Sequence, residues 1–377
     1  MLDVSLTPYD ALLLYSFGGP NKPEDVVPFL RNVTAGKGIP DSRLEEVGEH
    51  YYGFGGKSPI NEQNLALKAA LEGELAKRGI DLPVVWGNRN WEPYTDDAVT
   101  ELEAIGARRA VALVTSAYSS YSGCRQYRED LAVTLERRGQ LDGSGSTGVQ
   151  FDKVRSYFNH PGFAEANADA VTEGFEALTA AGGDAGVARL VFVTHSIPTT
   201  MEAASAVSHA TYSAQHLDLA AVVADEVSRR LGRTVEWDLT YCSRSGPPSQ
   251  PWLEPDVNDF LETLAADGVR DVVLSPIGFV SDHMEVAYDL DTEAVETAEK
   301  LGMNVVRAGT VGTREPFVRG LVDLLLERAA IARGEDVAEA TVGTLPAFRS
   351  VCAPGCCLRR DGEPSGVPAL CGVSLDS

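Results

Sequence analysis

The chain has 377 residues and a formal net charge of −23, from 55 acidic and 32 basic side chains. This excess of carboxylates argues against nucleic acid as a partner, because phosphate binding depends on clustered Lys and Arg. The first 19 residues lack a basic segment followed by an apolar core, and no apolar run reaches the roughly 20 residues that span a bilayer. We therefore expect a cytoplasmic protein without a transmembrane segment, with small-molecule partners.

Apolar strand-like runs alternate with amphipathic helical stretches along most of the chain. Residues 61–79, for example, repeat apolar side chains at helical spacing. Continuous apolar strands separated by helices predict parallel sheets covered on both faces. The fold class is therefore α/β, with two Rossmann-like doubly wound domains. The eight predicted strands lie within residues 9–17, 82–88, 109–119, 149–158, 188–198, 234–244, 270–280 and 303–309.

A Gly/Ser-rich stretch at residues 137–153 marks the expected domain boundary. We place the first domain at 1–147 and the second at 148–311. Periodicity stops after about Leu345, and residues 341–377 form an irregular tail that holds four of the six cysteines. In a reducing cytosol, clustered cysteines are more often metal ligands or catalytic groups than disulfides.

Ligands of doubly wound sheets bind at the carboxyl ends of the strands. The "SFGGP" turn after the first strand matches no dinucleotide or P-loop pattern, so nucleotide binding has little support. His195 ends the strand "VFVTH", where a neutral imidazole suits a general base; the alternative is a structural histidine. Six aromatic residues at or after strand ends suit a planar ligand with polar substituents, or line the core: Trp86, Trp91, Tyr94, Tyr118, Tyr121 and Tyr127.

Glu285, Asp289 and Glu293 are spaced four residues apart in a segment that follows an apolar strand. On a helix this spacing forms one acidic stripe. Such a stripe either transfers protons and binds a hard divalent cation, or is a solvated acidic face. Oxygen ligands with one histidine suit transient Fe²⁺ or Mg²⁺ better than tightly held zinc.

Several motifs occur in the order found in the ferrochelatase family. They run from about Tyr9 to about Leu326 and are "LLLYSFGGP", "YYGFGGKSPIN", "GNRNWEPY", "THSIP", "SRSGPPSQPWLEPDV" and "PIGFVSDHMEVAYDLD". The chain resembles this family, most strongly its actinobacterial members of the coproporphyrin type. The resemblance implies a porphyrin cleft between the two domains, with a C-terminal helix at about 312–340 completing the first domain.

The same resemblance implies roles for individual residues. His195 and Glu285 match the catalytic pair that faces the metal-insertion point, and Asp289 and Glu293 match the path of metal or protons. Ser58 and Tyr127 match positions that hold porphyrin carboxylates. Phe17 stands where many bacterial members carry a ligating tyrosine, so it would line the substrate site without binding metal. Thr34 and His50 replace arginines of other members, so the carboxylate contacts must differ in detail.

The tail, again by resemblance, is similar to the [2Fe–2S] segment of cluster-bearing ferrochelatases, which add one upstream cysteine to three in the extension. The favoured ligands are Cys124, Cys352, Cys357 and Cys371, with Cys356 as the substitute. A tail with free thiols is the alternative, and Cys242 is expected to be a small buried residue.

The function implied is a lyase that inserts Fe²⁺ into coproporphyrin III, giving coproheme for a downstream haem-synthesis enzyme. The alternatives are a protoporphyrin IX ferrochelatase, a chelatase for another metal or tetrapyrrole, and a non-catalytic haem or iron–sulfur carrier.

Overall fold

The computed structural model describes residues 5–376 except 143–144, 207–209, 247–248, 353–354, 361–367 and 372–373. Side chains are described as far as Leu370. The predicted α/β fold class is confirmed, since strands alternate with helices and the two main sheets are parallel. Within the described residues, no helix is long and apolar enough to cross a membrane.

All eight predicted strands are present, together with two short ribbons. The strands are β1 (Ala11–Ser16), β2 (Val84–Asn88), β3 (Arg109–Val114), β4 (Leu141–Asp142), β5 (Gly145–Ser146), β6 (Gln150–Lys153), β7 (Arg189–His195), β8 (Trp237–Cys242), β9 (Asp271–Ser275), β10 (Asn304–Arg307), β11 (Ala369–Cys371) and β12 (Ser374–Asp376). The antiparallel ribbons are β4–β5 and β11–β12.

The α-helices cover both faces of the sheets. They are α1 (Val26–Val33), α2 (Asp41–Tyr52), α3 (Ile60–Lys77), α4 (Thr95–Ala104), α5 (Gln126–Arg137), α6 (Pro161–Ala180), α7 (Thr199–Ser205), α8 (Tyr212–Leu231), α9 (Val257–Ala266), α10 (Val295–Lys300) and α11 (Glu315–Ala332). A 3₁₀ turn precedes α1 at Pro23–Asp25, and π-helical segments precede α5 and α10 at Tyr121–Arg125 and Val286–Ala294.

The first sheet has the order β2-β1-β3-β6 and the second β10-β9-β7-β8. In each sheet, successive strands are added first on one side of the first strand and then on the other. The switch point lies between β1 and β3 in the first sheet and between β7 and β9 in the second. Every residue of β1 is buried, as expected for a central strand covered on both faces. The reversal points of doubly wound sheets are where loops diverge and leave a crevice for a ligand.

The strand β6 pairs in parallel with β3 and so belongs to the first sheet. A boundary after residue 147 would separate β6 from the sheet to which it belongs. The chain leaves the first sheet only after Lys153, where β6 ends. The glycine-rich stretch that suggested the boundary holds the β4–β5 ribbon, a connection within the first domain. The helix α11 packs against α3 and α6 and so touches both halves of the molecule.

The loops at the carboxyl ends of the two sheets meet. The Tyr118 hydroxyl, after β3, donates a hydrogen bond of 2.9 Å to the carbonyl of Ile277, after β9. The backbone N–H of Asp282 donates one of 2.8 Å to the side-chain oxygen of Gln63 on α3. His50 of α2 stacks on Tyr288 with ring centroids 3.8 Å apart. The candidate cleft therefore lies between the two switch points.

Candidate active site

His195 and Glu285 meet at the switch point of the second sheet. His195 is the last residue of β7, and Glu285 begins the helical segment that follows the neighbouring strand β9. The imidazole Nε2 lies 3.3 Å from the Glu285 Oε1, and the side chains keep 31% and 45% of their surface exposed. The ring Nδ1 bonds to the carbonyl of Ser196, which directs Nε2 toward the carboxylate.

The electrostatics of this pair differ from the neutral imidazole expected from the sequence. Burial alone lowers the pKa of His195, but the Glu285 carboxylate and the Ser196 carbonyl outweigh it and raise the pKa to about 9. Burial raises the pKa of Glu285, whereas the charge of His195 and its hydrogen bond outweigh that and lower it to about 2. In the resting protein at neutral pH, the pair is therefore imidazolium and carboxylate.

A second histidine flanks the pair. The His283 Nδ1 accepts a hydrogen bond of 3.2 Å from the backbone N–H of Glu285, which leaves that nitrogen without a proton. Burial lowers the pKa of His283, so this imidazole is neutral beside the charged His195. Its ring packs edge-on against Phe279, with centroids 4.9 Å apart. Sequence reasoning gave His283 no role.

The acidic stripe leads from the pair toward solvent. The Asp289 carboxylate accepts a hydrogen bond from the Ser243 hydroxyl. Burial raises the pKa of Asp289; the Ser243 bond opposes that rise, and the charges of Glu285 and Glu293 add to it, giving about 7. Glu293 is exposed at the far end of the stripe. The mutual influence of the three carboxylates fits the predicted stripe on one helical face.

Asp289 and Glu293 lie on a π-helix that follows directly after Glu285, where the sequence predicts a helix without specifying its type. Hydrogen bonds from residue i to i+5 widen such a helix, and π segments are frequent at functional sites. Ser243, which bonds Asp289, has a φ of 61°, a left-handed conformation uncommon for serine. A residue that holds such a conformation at a cleft is a sign of functional constraint. Neither feature has a signal in the sequence.

The residues matched to porphyrin binding lie in the first domain. Phe17 packs edge-on against Phe29 at a centroid distance of 6.2 Å. Ser58 is 3% exposed, and its hydroxyl accepts a weak hydrogen bond of 3.4 Å from the Ile60 N–H. Tyr127 is 4% exposed, with the Arg89 guanidinium 4.9 Å from its ring centroid. The residues that contact these three side chains also lie in the first domain, whereas the His195–Glu285 pair lies in the second.

Tyr51 is a cleft residue that the sequence reasoning missed. Burial raises its pKa well above the ordinary tyrosine value, and the charges of Glu285 and Asp289 raise it further. Tyr51 belongs to α2 of the first domain, so this influence crosses the cleft. Next to it, His50 stacks on Tyr288.

Four cysteines form a buried group between the first domain and the tail. They are Cys124, Cys352, Cys356 and Cys357, and we call them the cysteine pocket. The Cys356 and Cys357 sulfurs are 3.5 Å apart. Further thiol contacts join Cys352 to Cys356 and Cys124 to Cys357. Cys371 ends β11, but its side chain lies outside the described residues. Cys242 is buried, as expected.

Basic side chains surround the pocket. Arg125 and Arg128 donate hydrogen bonds of 3.3 and 3.2 Å to the Cys356 carbonyl. Hydrogen bonds from Cys352 and Cys357 lower the pKa of Cys356 far below its ordinary value, outweighing burial. Burial lowers the pKa of Lys153, yet the nearby Cys352 and Cys124 sulfurs outweigh this and raise it. In the described part of the chain, no three His, Cys, Asp or Glu side chains are arranged to hold a single metal ion.

Comparison with known proteins identifies the family. The ferrochelatase family model matches residues 9–329. A protein of Streptomyces coelicolor named coproporphyrin III ferrochelatase is 52% identical over 98% of both chains. One of the same name from Streptomyces griseus is 52% identical over 96% of both, and a ferrochelatase of Rhodopirellula baltica is 44% identical over 95% of this chain and 96% of its own. The motifs quoted from the sequence and the full-length matches agree, and the chain belongs to the ferrochelatase family.

Proposed function

We propose that this protein inserts Fe²⁺ into coproporphyrin III and releases coproheme. The observation that carries the proposal is the His195–Glu285 pair, 3.3 Å apart at the switch point of the second sheet. Relatives 52% identical over nearly the whole chain bear the name of this activity, which supports the choice of substrate.

Metal insertion removes two pyrrole N–H protons and strips water from the iron. His195 is protonated at rest, so it must first lose a proton before it can act as a base. A divalent cation that arrives at Glu285 promotes this proton loss, because a nearby positive charge disfavours the imidazolium. The imidazolium proton leaves through the acidic stripe to solvent. The neutral Nε2 then accepts the first pyrrole proton, releases it by the same route and accepts the second.

The acidic stripe is proposed as the path of iron and protons. Glu293 is exposed, Asp289 is intermediate, and Glu285 contacts His195, so the carboxylates lead from solvent to the reacting pair. A carboxyl with a pKa of about 7, as at Asp289, both gives and takes protons near neutrality. Oxygen ligands suit a ferrous ion that must be released again.

The porphyrin carboxylates are proposed to bind in the first domain, at Ser58 and Tyr127, with Phe17 lining the ring. The guanidinium of Arg89 beside Tyr127 adds a positive charge suited to a carboxylate. Both polar side chains are buried.

We also propose that the cysteine pocket holds a [2Fe–2S] cluster, which supplies one-electron redox chemistry when bound. Four thiols lie together in a buried pocket bordered by Arg125 and Arg128, and thiols are the donors that a [2Fe–2S] cluster takes. Cys124, Cys352, Cys357 and Cys371 would serve as the four ligands, with Cys356 as the substitute for its neighbour Cys357. The proposal includes a cytoplasmic setting, where thiols stay reduced, and a downstream haem-synthesis enzyme that takes the product.

Anaerobic assays with Fe²⁺ and either coproporphyrin III or protoporphyrin IX test the substrate. We expect turnover with coproporphyrin III and at least tenfold lower kcat/KM with protoporphyrin IX. The reverse preference would assign the protein to protoporphyrin. For the cluster, visible absorption of anaerobically purified protein is compared with that of the Cys124→Ser variant; equal spectra would contradict the assignment.

A further inference from the structure

The loop after β3 connects the cysteine pocket to the second domain. The Ser119 Oγ lies 3.1 Å from the Cys357 sulfur. The Ser119 N–H donates a hydrogen bond of 2.7 Å to the Gln215 Oε1, and the Gln215 Nε2 donates one of 3.0 Å to the Ser119 carbonyl. Ser119 is 2% exposed and Gln215 is fully buried. One side-chain amide thus fixes both the position and the direction of this loop.

The neighbouring residues on each side reinforce the connection. Tyr118 stacks on His216 with ring centroids 3.5 Å apart and an interplanar angle of 11°. The His216 Nδ1 bonds to the Tyr212 carbonyl at 2.8 Å, so it carries the proton. Burial lowers the pKa of His216 to about 3, which keeps the ring neutral. Its Nε2 is therefore free to accept a hydrogen bond.

That hydrogen bond comes from the residue before His195. The Thr194 Oγ1 lies 2.9 Å from the His216 Nε2 and 2.7 Å from the Tyr212 hydroxyl. The Tyr212 hydroxyl also lies 3.2 Å from the His195 carbonyl, so its single proton is shared between that carbonyl and the Thr194 Oγ1. Buried hydrogen bonds, one ring-stacking contact and the backbone that joins Tyr118 to Ser119 and Gln215 to His216 therefore connect Cys357 with the end of β7.

We propose that Gln215 is a positioning residue that couples the cysteine pocket to the iron-insertion site. The inference rests on the proposed function, because the residue it positions is His195. Buried, fully hydrogen-bonded networks in a close-packed interior transmit small displacements. A change at the Cys357 sulfur alters its contact with Ser119, and Gln215 carries the displacement to α8, which holds the end of β7.

A double-mutant cycle on full-length protein measures the coupling. Gln215→Ala should lower kcat about tenfold and leave the KM for coproporphyrin III within about twofold, because the porphyrin contacts lie elsewhere. Cys357→Ser should lower kcat about threefold in wild-type protein and by less than about 1.5-fold in the Gln215→Ala background. Gln140→Ala, which removes an amide that bonds Glu103 away from the cleft, is the control and should leave both constants unchanged.

Ser119→Ala provides a second route, since it keeps the backbone bonds to Gln215 and removes only the contact with Cys357. It should reproduce the loss of coupling even where Gln215→Ala folds poorly. Additive effects of Cys357→Ser with both Gln215→Ala and Ser119→Ala would overturn the inference. Wild-type protein that inserts no iron would instead refute the proposed function.

The reciprocal effect is measured without catalysis, because coupling between two sites acts in both directions. Bound coproporphyrin III should change the alkylation rate of Cys357, followed by mass spectrometry on cluster-free protein, at least about twofold in wild type. Gln215→Ala should abolish that change. Equal responses in the two proteins would overturn the inference.

Discussion

Replacement of Glu285 by Gln tests the electrostatic description of the active site. The substitution keeps the size of the side chain and removes the charge that faces His195. Two unit charges 3.3 Å apart attract by about 5 kcal/mol at an effective dielectric constant of 20. Because 45% of the Glu285 side chain is exposed, solvent screening reduces this, and we expect about 1–2 kcal/mol.

That energy corresponds to a fall of about one unit in the pKa of His195, from a starting value of about 9. The assay is an NMR titration of the His195 ring protons in wild type and Glu285→Gln. Glu293→Gln is the matched control, since its carboxylate is exposed at the other end of the stripe and should leave His195 unchanged. An unaltered pKa in Glu285→Gln would refute the reasoning.

Three further predictions follow from the same contacts. The raised pKa of His195 in the ion pair stabilises the folded protein. This stabilisation is fully present below about pH 6.5 and is lost as the pH rises through about 9. Urea unfolding of wild type and Glu285→Gln across that pH range measures it. Arg155→Met should lower the free energy of unfolding by about 3–5 kcal/mol, because it leaves the Glu327 carboxylate buried without its partner 2.8 Å away; a loss under about 1 kcal/mol would contradict this. Gly278→Ala would bring a methyl group within 2.0 Å of the Thr194 Oγ1, so kcat should fall at least about tenfold; wild-type turnover would show that the strand end yields freely.

The fold was predictable because its determinants are local. Apolar runs such as "ALLLYS" are long enough to be buried on both faces, and each became a parallel strand. The boundary at residue 147 failed for a physical reason. Glycine and serine mark any turn, whether it joins two domains or, as with β4–β5, two strands of one domain.

The structure brings the predicted residues His195 and Glu285 into contact, but the sequence did not predict their protonation states. Residue order places His195 and Glu285 at neighbouring strand ends, since β7 and β9 pair in one sheet. Their protonation depends on a 3.3 Å contact between residues 90 positions apart, which no local pattern encodes. The π-helix is equally hidden, because spacing of four residues is compatible with both helix types.

One feature of the cysteine pocket was predictable from the sequence and another was not. The sequence and the family resemblance suggested that Cys124 meets the tail, and the four described thiols do lie together. The choice among the tail cysteines depends on where each side chain lies in the folded protein. The sequence does not distinguish Cys356 from Cys357, because the two residues are adjacent. The contact of Cys357 with Ser119 distinguishes them in the folded chain.

The central claim is that His195 and Glu285 carry out iron insertion. Its most direct test is single-turnover insertion of Fe²⁺ into coproporphyrin III under anaerobic conditions, with wild type, His195→Ala and Glu285→Ala, and with porphyrin binding measured separately by fluorescence. We predict that both variants bind porphyrin with wild-type affinity and lose at least about 100-fold in the insertion rate. Wild-type insertion rates in both variants would contradict the account.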